Sequence, residues 1–388
     1  MSDTNRTALL YIPESVFGVT PGTPNMKFLR HTGESLGLDT QTTRSNEIRS
    51  DRQIPDFVRT GINAAGDVNF ELSHGAFDDF LVASLMSAGW STQVSLTGLT
   101  LTFNSGAGTI ARSAGDWAAD GITVNSWIRP AGAINAANNA YFKVTAVTTL
   151  TLTVQQVGGS PRMVSESATA GMTLKQGSQI VNGTTFQSFA IERRFTDLSN
   201  EFALFNGMGV DQFSLNTQKD GIVTGAFRFL GKTEVSANAT AASSTTAAPT
   251  EDVMNAIDDV KMVCENGGAQ YDITALTMQL RNNLRARLQV GTLGAVSLGV
   301  GSVEVSGTHQ AYYNSKAVMD RYLNYSATNL SQGFYKNGKG YVFDFPRIKY
   351  SAGRRVGGGI NADVMAEMSW NAMLDPTEGI TMRVARFS

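Results

Sequence analysis

The clearest pattern in the chain is a strict alternation of polar and apolar side chains over residues 67–73. Such alternation predicts a β-strand with one buried face and one face in water. The polar positions are Asp67, Asn69, Glu71 and Ser73, and the apolar ones are Val68, Phe70 and Leu72. Gly75 ends the alternation, and an apolar stripe of helical spacing then predicts a short helix over residues 77–86.

The same order of patterns returns in the second half of the chain. Residues 302–306 alternate, Gly307 ends the alternation, and residues 316–323 predict a second short helix. Further strand-like runs also correspond between the halves: 209–215 and 222–230 in the first, 341–350 and 360–373 in the second. We interpret this order as a tandem duplication whose two copies have diverged in sequence.

Composition divides the rest of the chain. Residues 94–176 are rich in Thr, Ala, Gly and Asn, and turn signals separate their short apolar runs, which predicts a small inserted all-β module. Residues 236–252 form an Ala/Thr/Ser linker, and residues 1–25 contain three prolines and predict an extended N-terminal arm. The first unit then comprises residues 26–93 and 177–235, and the second comprises residues 253–388.

Charge and cysteine content exclude several classes of protein. Charged residues make up only 16% of the chain, where about 25% is usual, and the net charge of -2 provides no basic field for nucleic acid or an anionic membrane. No apolar run approaches the roughly 18 residues of a membrane span. The single cysteine, Cys264, excludes an intrachain disulfide and predicts a buried thiol. The N-terminus lacks the basic-then-apolar order of a signal peptide, so we expect folding in a reducing cytoplasm.

Residues that could carry catalysis do not form a known motif. The chain contains no HExxH, P-loop or GxSxG pattern, and we expect neither an enzyme nor a bound cofactor or metal. His74 and His309 follow the two alternating strands, which leaves open a paired metal site beside the simpler interpretation of solvated turn histidines. Trp117, Trp127 and Tyr141 leave open a sugar-binding platform in the inserted module, beside the simpler interpretation of core packing.

Several long stretches carry a family resemblance. The opening contains a PES-FG-TP arm, an ESL turn, the loop SNEIRSDRQ and the strand GDVNFELS. Later stretches are IERRFTDLSNEFALFNGMGVDQFSLNTQKDGIVTGAFRFLGK, ALTMQLRNNLRARLQVGTLG and FDFPRIKYSAGRRVGGGINADVMAEMSWNAMLDP. Together they resemble the tail tube (major tail) proteins of long-tailed, non-contractile bacteriophages, over nearly the whole chain outside the insertion. The insertion is similar to a small β module seen within tail proteins, although Asn125 and Ser126 replace its usual Gly-Asp.

The resemblance implies a mainly β fold and a structural role in the virion. Its β-sandwiches, each with a flanking helix, stand in rings so that their inner sheets join into one barrel, and the rings stack into a tube. The lumen holds a tape-measure protein and then conducts double-stranded DNA, and terminator and tip proteins close the tube. Such rings contain six sandwiches, so a chain with two sandwiches predicts a ring of three chains with pseudo-sixfold symmetry. The alternative is an ordinary ring of six chains.

Two sets of site residues follow from this interpretation. In a tube, the solvent-exposed face of the inner sheet is the lumen wall. The alternative is that the exposed faces of these strands lie on the outside of the tube. The lumen-lining candidates are Asp67, Asn69, Glu71, Ser73, Glu304, Asp363 and Glu367, with Arg228 and Arg281 as basic exceptions. The polar loop 40–55 is expected to reach the adjacent ring, or else to be only solvated. Its charged residues are Arg44, Glu47, Arg49, Asp51 and Arg52.

An alternative function is that the inserted module binds a ligand on the host surface.

Overall fold

A computed structural model describes residues 2–156, 163–265 and 272–388. The fold is mainly β, as the sequence predicts. Its helices α1 (Asp78–Ser84) and α2 (Ala317–Leu323) lie within the predicted helical segments, and short 3₁₀ turns occur at Thr4–Arg6 and Ala136–Asn138. Within these described ranges, no helix is long and apolar enough to cross a membrane.

The strands are numbered in chain order. Those before α1 are β1 (Thr7–Pro13), β2 (Asn25–Leu29), β3 (Gly33–Glu34), β4 (Gly37–Arg44) and β5 (Phe57–Glu71). The insertion contains β6 (Val94–Asn104), β7 (Thr109–Arg112), β8 (Trp127–Ala131), β9 (Phe142–Val147), β10 (Thr151–Gln156) and β11 (Glu166–Gln176). The first unit resumes with β12 (Ser178–Val181), β13 (Ser188–Phe195), β14 (Phe202–Gln218), β15 (Thr224–Gly231), β16 (Thr233–Ala237) and β17 (Ser244–Thr246). The second unit contains β18 (Val260–Glu265), β19 (Ile273–Arg281), β20 (Arg285–Arg287), β21 (Ser297–Gly299), β22 (Glu304–Tyr312), β23 (Thr328–Lys336), β24 (Lys339–Gly357), β25 (Val364–Ala372) and β26 (Arg383–Phe387).

Eight strands form a continuous antiparallel sheet, called here the inner sheet. Its order is β4–β5–β15–β14–β19–β22–β25–β24. The first four strands belong to the first unit and the last four to the second. At the junction, β14 pairs with β19 from Gln212 opposite Arg281 to Gln218 opposite Ala275. Backbone hydrogen bonds therefore join the two units edge to edge.

The two units repeat the same arrangement. The elements β4, β5, α1, β13, β14 and β15 correspond in order and pairing to β19, β22, α2, β23, β24 and β25. Gly66 lies opposite Phe229, and Gly307 lies opposite Trp370 at the equivalent place. A Cβ added to Gly66 would lie 2.4 Å from a backbone oxygen, and one added to Gly307 would lie 2.2 Å from another. Both units therefore need glycine at this position.

An outer layer packs against the inner sheet through the long strands β14 and β24. Residues 202–209 of β14 pair with β13, and residues 209–216 pair with β15 in the inner sheet. In the same way, β24 pairs first with β23 and then with β25. Phe80 of α1 lies in the core between the layers, with its ring centroid 4.8 Å from that of Phe189 and 5.4 Å from that of Phe227. Each unit is thus a two-layer sandwich with a flanking helix.

The inserted strands form a closed six-stranded barrel in the order β10–β7–β6–β11–β8–β9. The barrel has its own apolar core, which includes Trp117. A separate cluster joins Trp127 and Tyr141 of the insertion to Val342 and Phe387 of the outer layer. Val342 alternates along β24 with Tyr341 and Phe343, which face the main core. The barrel therefore lies on the side of the outer layer that is turned away from the inner sheet.

Several predicted segments differ from the structure. Residues 7–13, expected in the arm, form β1, which pairs with β13 and β2 and buries Leu9, Leu10 and Tyr11. Part of the predicted linker is bound to the rest of the fold, because β17 pairs with β2 and the Ala241 N–H donates to Glu192. The strand expected from residue 360 begins only at Val364, since Asn361 has a positive φ of 63° in the preceding turn.

Candidate functional site

One face of the inner sheet packs on the core, and the other, called here the polar face, carries partly or fully exposed side chains. Period-two alternation places these side chains together because neighbouring strands are in register. The uncharged members are Asn69, Gln212, Ser214, Asn216, Thr224, Thr277, Gln279, Ser306, Thr308, Gln310, Ser369 and Asn371. The centre of the polar face therefore consists of hydroxyl and amide groups.

Several charged side chains on the polar face lie opposite a side chain of the other sign. Asp67 lies opposite Arg228, and Glu304 lies opposite Arg281. Gln212 lies between the two arginines, so that one row across the sheet runs acid, base, amide, base, acid. Glu367 lies opposite Arg354 and forms an ion pair with it at 2.5 Å. Glu71 lies opposite Thr224 and has no arginine directly across from it.

The structure brings together most of the predicted lumen-lining residues. Asp67, Asn69, Glu71, Glu304 and Glu367 all lie on the polar face. Two candidates do not, because the alternating pattern in the sequence continues beyond the ends of the strands. Ser73 is fully buried where the chain forms an isolated bridge with Val253, and Asp363 lies in the exposed turn before β25.

Sequence reasoning missed the contribution of β14 to this face, and of β19 it identified only Arg281. Ser214, Asn216, Thr277 and Gln279 lie at its centre. Their polar side chains alternate with buried apolar ones in residues 212–216 and 275–281, so the period-two pattern was present in the sequence.

The predicted polar loop forms the end of a long hairpin. Residues 40–44 belong to β4 and pair with β5, so the connection itself spans residues 45–56. The five predicted charged residues, Arg44, Glu47, Arg49, Asp51 and Arg52, are all exposed. Arg49 donates to Asp51 from Nε at 3.0 Å and from Nη2 at 2.7 Å, and this contact lowers the pKa of the Asp51 carboxyl. The tip is therefore locally ordered while it stands away from the core.

His74 and His309 are buried rather than solvated, and each packs against a different tyrosine. His74 stacks on Tyr341 with ring centroids 5.1 Å apart, and burial lowers its pKa. His309 lies in the core against Tyr350, and burial lowers its pKa to about 4. In the part of the chain that the structure describes, no three His, Cys, Asp or Glu side chains cluster in a way that would hold a metal ion. Both residues serve as packing groups in these two places.

The aromatic residues of the insertion do not form a sugar-binding platform. Trp117, Trp127 and Tyr141 are all buried, and the Tyr141 hydroxyl donates to the Phe334 carbonyl at 2.8 Å. The interpretation of core packing is therefore confirmed for Trp117, while the other two anchor the barrel to the outer layer.

A buried charge network reinforces that anchor. Lys143 of the barrel contacts Asp344 at 3.0 Å and Glu378 at 2.6 Å. Arg383 contacts the same two carboxylates at 3.1 and 2.8 Å. Burial alone would raise the pKa of Asp344, but Lys143 and Arg383 outweigh it and hold the pKa below its usual range. The barrel is thus fixed against the second unit by apolar packing and by paired charges.

Comparison with known families gives one match that spans most of the chain. A family model described as phage tail tube protein matches residues 4–372. A search of curated proteins gives no significant match.

Proposed function

The chain belongs to the phage tail tube protein family, and we propose that it is the tube subunit of a long, non-contractile tail. Three copies would form a ring, and stacked rings would enclose a lumen that conducts viral DNA into the host. The observation that carries this proposal is the inner sheet, which is built from two repeated units and has an open edge at each end.

Open edges favour closure into a ring. An exposed strand presents unpaired N–H and C=O groups, and closing a sheet into a barrel removes them. Since each chain already joins two units through β14 and β19, the same kind of contact between chains would continue the sheet. Six units around the lumen, as the family resemblance implies, correspond to three chains.

The polar face of the inner sheet then lines the lumen. Three of its carboxylates lie opposite arginines, and the remaining positions are mostly hydroxyls and amides. Such a wall offers DNA phosphates no uncompensated basic surface, which is the main source of non-specific binding. Glu71 adds a carboxylate without a facing arginine. DNA would therefore pass along the wall without being retained.

The β4–β5 hairpin would connect adjacent rings. A two-stranded ribbon is marginally stable alone, so a long exposed one suits a partner surface. Its apolar side chains Ile48, Ile54, Phe57 and Val58 are largely exposed. Arg49 and Asp51 pair within the tip, and the exposed Arg44, Glu47 and Arg52 would set the register with the next ring.

Other partners follow from the same arrangement. Before DNA enters, the lumen would hold the tape-measure protein, and the terminator and tip proteins would bind the two ends of the tube. Assembly would take place in the host cytoplasm, and the final location would be the virion tail. No bound cofactor has a role in this proposal.

The insertion supports a second candidate function. Its barrel is docked on the outward side of the outer layer, where a module is accessible to a host surface ligand. Because Trp117, Trp127 and Tyr141 are buried, such a ligand would have to contact other residues, such as the exposed Ile134.

Electron microscopy of the purified chain tests the main proposal. We expect tubes or rings, and a ring-resolved reconstruction should show three chains with the polar face toward the lumen. A reconstruction with six chains per ring would show that the ring is a hexamer and not a trimer. Particles that stay monomeric under all assembly conditions would contradict the role as a tube subunit.

A further inference from the structure

The open edges of the inner sheet lie on β4 and on the C-terminal part of β24. In the described parts of the chain, β4 pairs only with β5, and residues 349–357 of β24 pair only with β25. Residues 39–44 of β4 and Ser351, Ala352 and Arg354 of β24 are exposed. These edges occupy the places that β19 and β14 hold at the junction inside the chain.

The repeat allows the two edges to be aligned with that internal junction. Gly66, Phe229 and Val210 lie across adjacent strands in the first unit. Gly307, Trp370 and Tyr350 lie across the equivalent strands in the second unit. In each unit a register shift comes directly after this position. It lies between Val210 and Gln212 in β14 and between Tyr350 and Ala352 in β24. Gln212 therefore corresponds to Ala352.

The other edge aligns in the same way. In the second unit, Met278 lies opposite Gly307. In the first unit, Gly37 lies opposite Ala65, so the preceding residue, Leu36, lies opposite Gly66. Met278 thus corresponds to Leu36, and Arg281, three residues further along, corresponds to Asp39. Inside the chain, Gln212 lies opposite Arg281.

We infer that β24 of one copy pairs antiparallel with β4 of the next copy in the ring, with Ala352 opposite Asp39. Gly353 then faces Leu38, and Ser351 faces Thr40. This pairing rests on the proposed function, because it requires that the chain assembles into rings.

Local contacts fit this register. The Leu36 N–H donates to Glu34 and the Leu36 carbonyl accepts from Arg193, so this end of the β4 edge is already satisfied. The ladder between copies would therefore run from Leu38 toward the hairpin. Arg354, whose side chain is 74% exposed, would be a diagonal neighbour of the Asp39 carboxylate of the next copy. The contact would join opposite charges on the lumen wall.

A pair of introduced cysteines tests the register. Asp39→Cys with Ala352→Cys places two thiols directly opposite, where Cβ atoms are about 5 Å apart and a disulfide can form. The native Cys264 is buried and is retained. Tubes assembled under reducing conditions and then oxidised should give covalent trimers as the largest product on a non-reducing gel. Asp39→Cys with Val356→Cys is the matched control, because Val356 lies four residues along the strand, about 13 Å away.

The outcomes separate this inference from the proposed function. Covalent trimers from the first pair and little product from the control would support the pairing. Normal tubes in which the first pair does not cross-link, or in which the control cross-links equally well, would overturn the register and leave the tube subunit intact. Failure of the wild-type chain to assemble would overturn both.

Hydrogen exchange on the wild-type chain covers the case in which the double variant does not assemble. The amides of residues 38–41 and 351–353 should become protected on tube formation. Unchanged exchange in both segments would overturn the pairing without any cysteine variant.

Discussion

Asp67 and Arg228 lie directly opposite each other on β5 and β15, on the polar face of the inner sheet. A second acid and arginine, Glu304 and Arg281, lie opposite each other on β22 and β19, and Gln212 separates the two arginines. Acidic and basic groups thus compensate each other within one row, and the surface is better described as neutral and hydroxyl-rich than as acidic.

Reversing the acidic charges on this face should slow DNA passage. Replacing Asp67, Glu71 and Glu304 by lysine leaves Arg228 and Arg281 uncompensated and adds three cations per chain. Because these side chains are not in the core, the chain should still fold. We expect slower genome ejection at low salt, with recovery as salt rises, since screening weakens binding to phosphate. Asn and Gln at the same positions are the control, with a smaller effect. Ejection kinetics at low salt that match the wild type would contradict the lumen assignment.

Charge reversal in the hairpin tip should affect polymerisation and leave folding intact. Asp51→Arg removes the contact with Arg49, while Arg52→Asp changes an exposed residue that has no such contact in the described structure. Both should keep the wild-type melting temperature and form tubes more slowly in light scattering, because mismatched charges oppose docking. If both variants form tubes at the normal rate, the tip is only a solvated loop and does not contact the next ring.

The buried network around Asp344 should be sensitive to the loss of one carboxylate. In Asp344→Asn, Lys143 and Arg383 keep Glu378 as their one acidic partner among the described residues. Loss of one member of a buried charge group typically costs about 3 kcal/mol or more of unfolding free energy. The exposed pair Lys316–Asp320 provides the control, and Asp320→Asn should change stability little. Equal denaturant midpoints for the two variants would contradict the role of the network.

The same carboxyl should contribute to acid sensitivity. Its pKa is lowered in the folded protein, so the unfolded chain binds the proton first as pH falls. The stability that Asp344 contributes is therefore complete above its unfolded pKa of 3.8 and is lost as pH falls through the lower folded value.

His309 should make stability depend on pH in a higher range. Its pKa is about 4 in the folded protein, against 6.5 for an ordinary histidine, because burial disfavours the charged ring, so its neutral form favours folding. This contribution is present above pH 6.5 and is lost as pH falls toward 4. His309→Leu should reduce the loss of unfolding free energy between pH 7 and pH 5 by about 2 kcal/mol. Denaturant titrations at both pH values measure it, with His31→Gln as the control. An unchanged difference would show that His309 is not buried in neutral form.

Deleting the insertion should destabilise the second unit. Removal of residues 94–176 exposes Met262, Val342, Ala385 and Phe387 and leaves Asp344 without Lys143. The cut ends are close, because the Ser91 N–H donates to the Gln179 carbonyl at 3.0 Å, so a short linker can join them. We expect lower soluble yield and a lower melting temperature.

A repaired deletion serves as the control for this effect. Adding Val342→Thr and Phe387→Thr replaces two of the exposed apolar side chains, and this variant should assemble into tubes that lack the outer density. A simple deletion as stable as the full chain would show that the barrel is only a surface attachment.

Strands with one buried face and one solvent-exposed face were predictable from the sequence. The alternation at 67–73 and 302–306 depends on burial of one face, so it identified β5 and β22 and the side of Asp67, Glu71 and Glu304. The helix α1 followed from its apolar stripe, and α2 followed from the repeated order of patterns. The insertion followed from its composition, because a small separate core needs its own set of apolar residues.

Long-range pairing was not predictable in the same way. The strand β1 precedes a Pro- and Gly-rich segment, and its burial depends on β13, which lies almost two hundred residues away in the chain. Ser73 continues the alternating pattern but is buried because the chain after β5 meets Val253. The environments of His74 and His309 likewise depend on Tyr341 and Tyr350, which no local pattern connects to them.

The passage of β14 and β24 through both layers has a mechanical consequence for a hollow filament. Two layers that touch only through side chains can slide past each other, whereas a strand that is continuous through both limits that sliding to what its φ and ψ rotations allow. Radial stress at the bore would be carried through the wall along two strands in every chain. Flexing of the filament would then be taken up between rings, and the bore would keep its diameter while the tail curves.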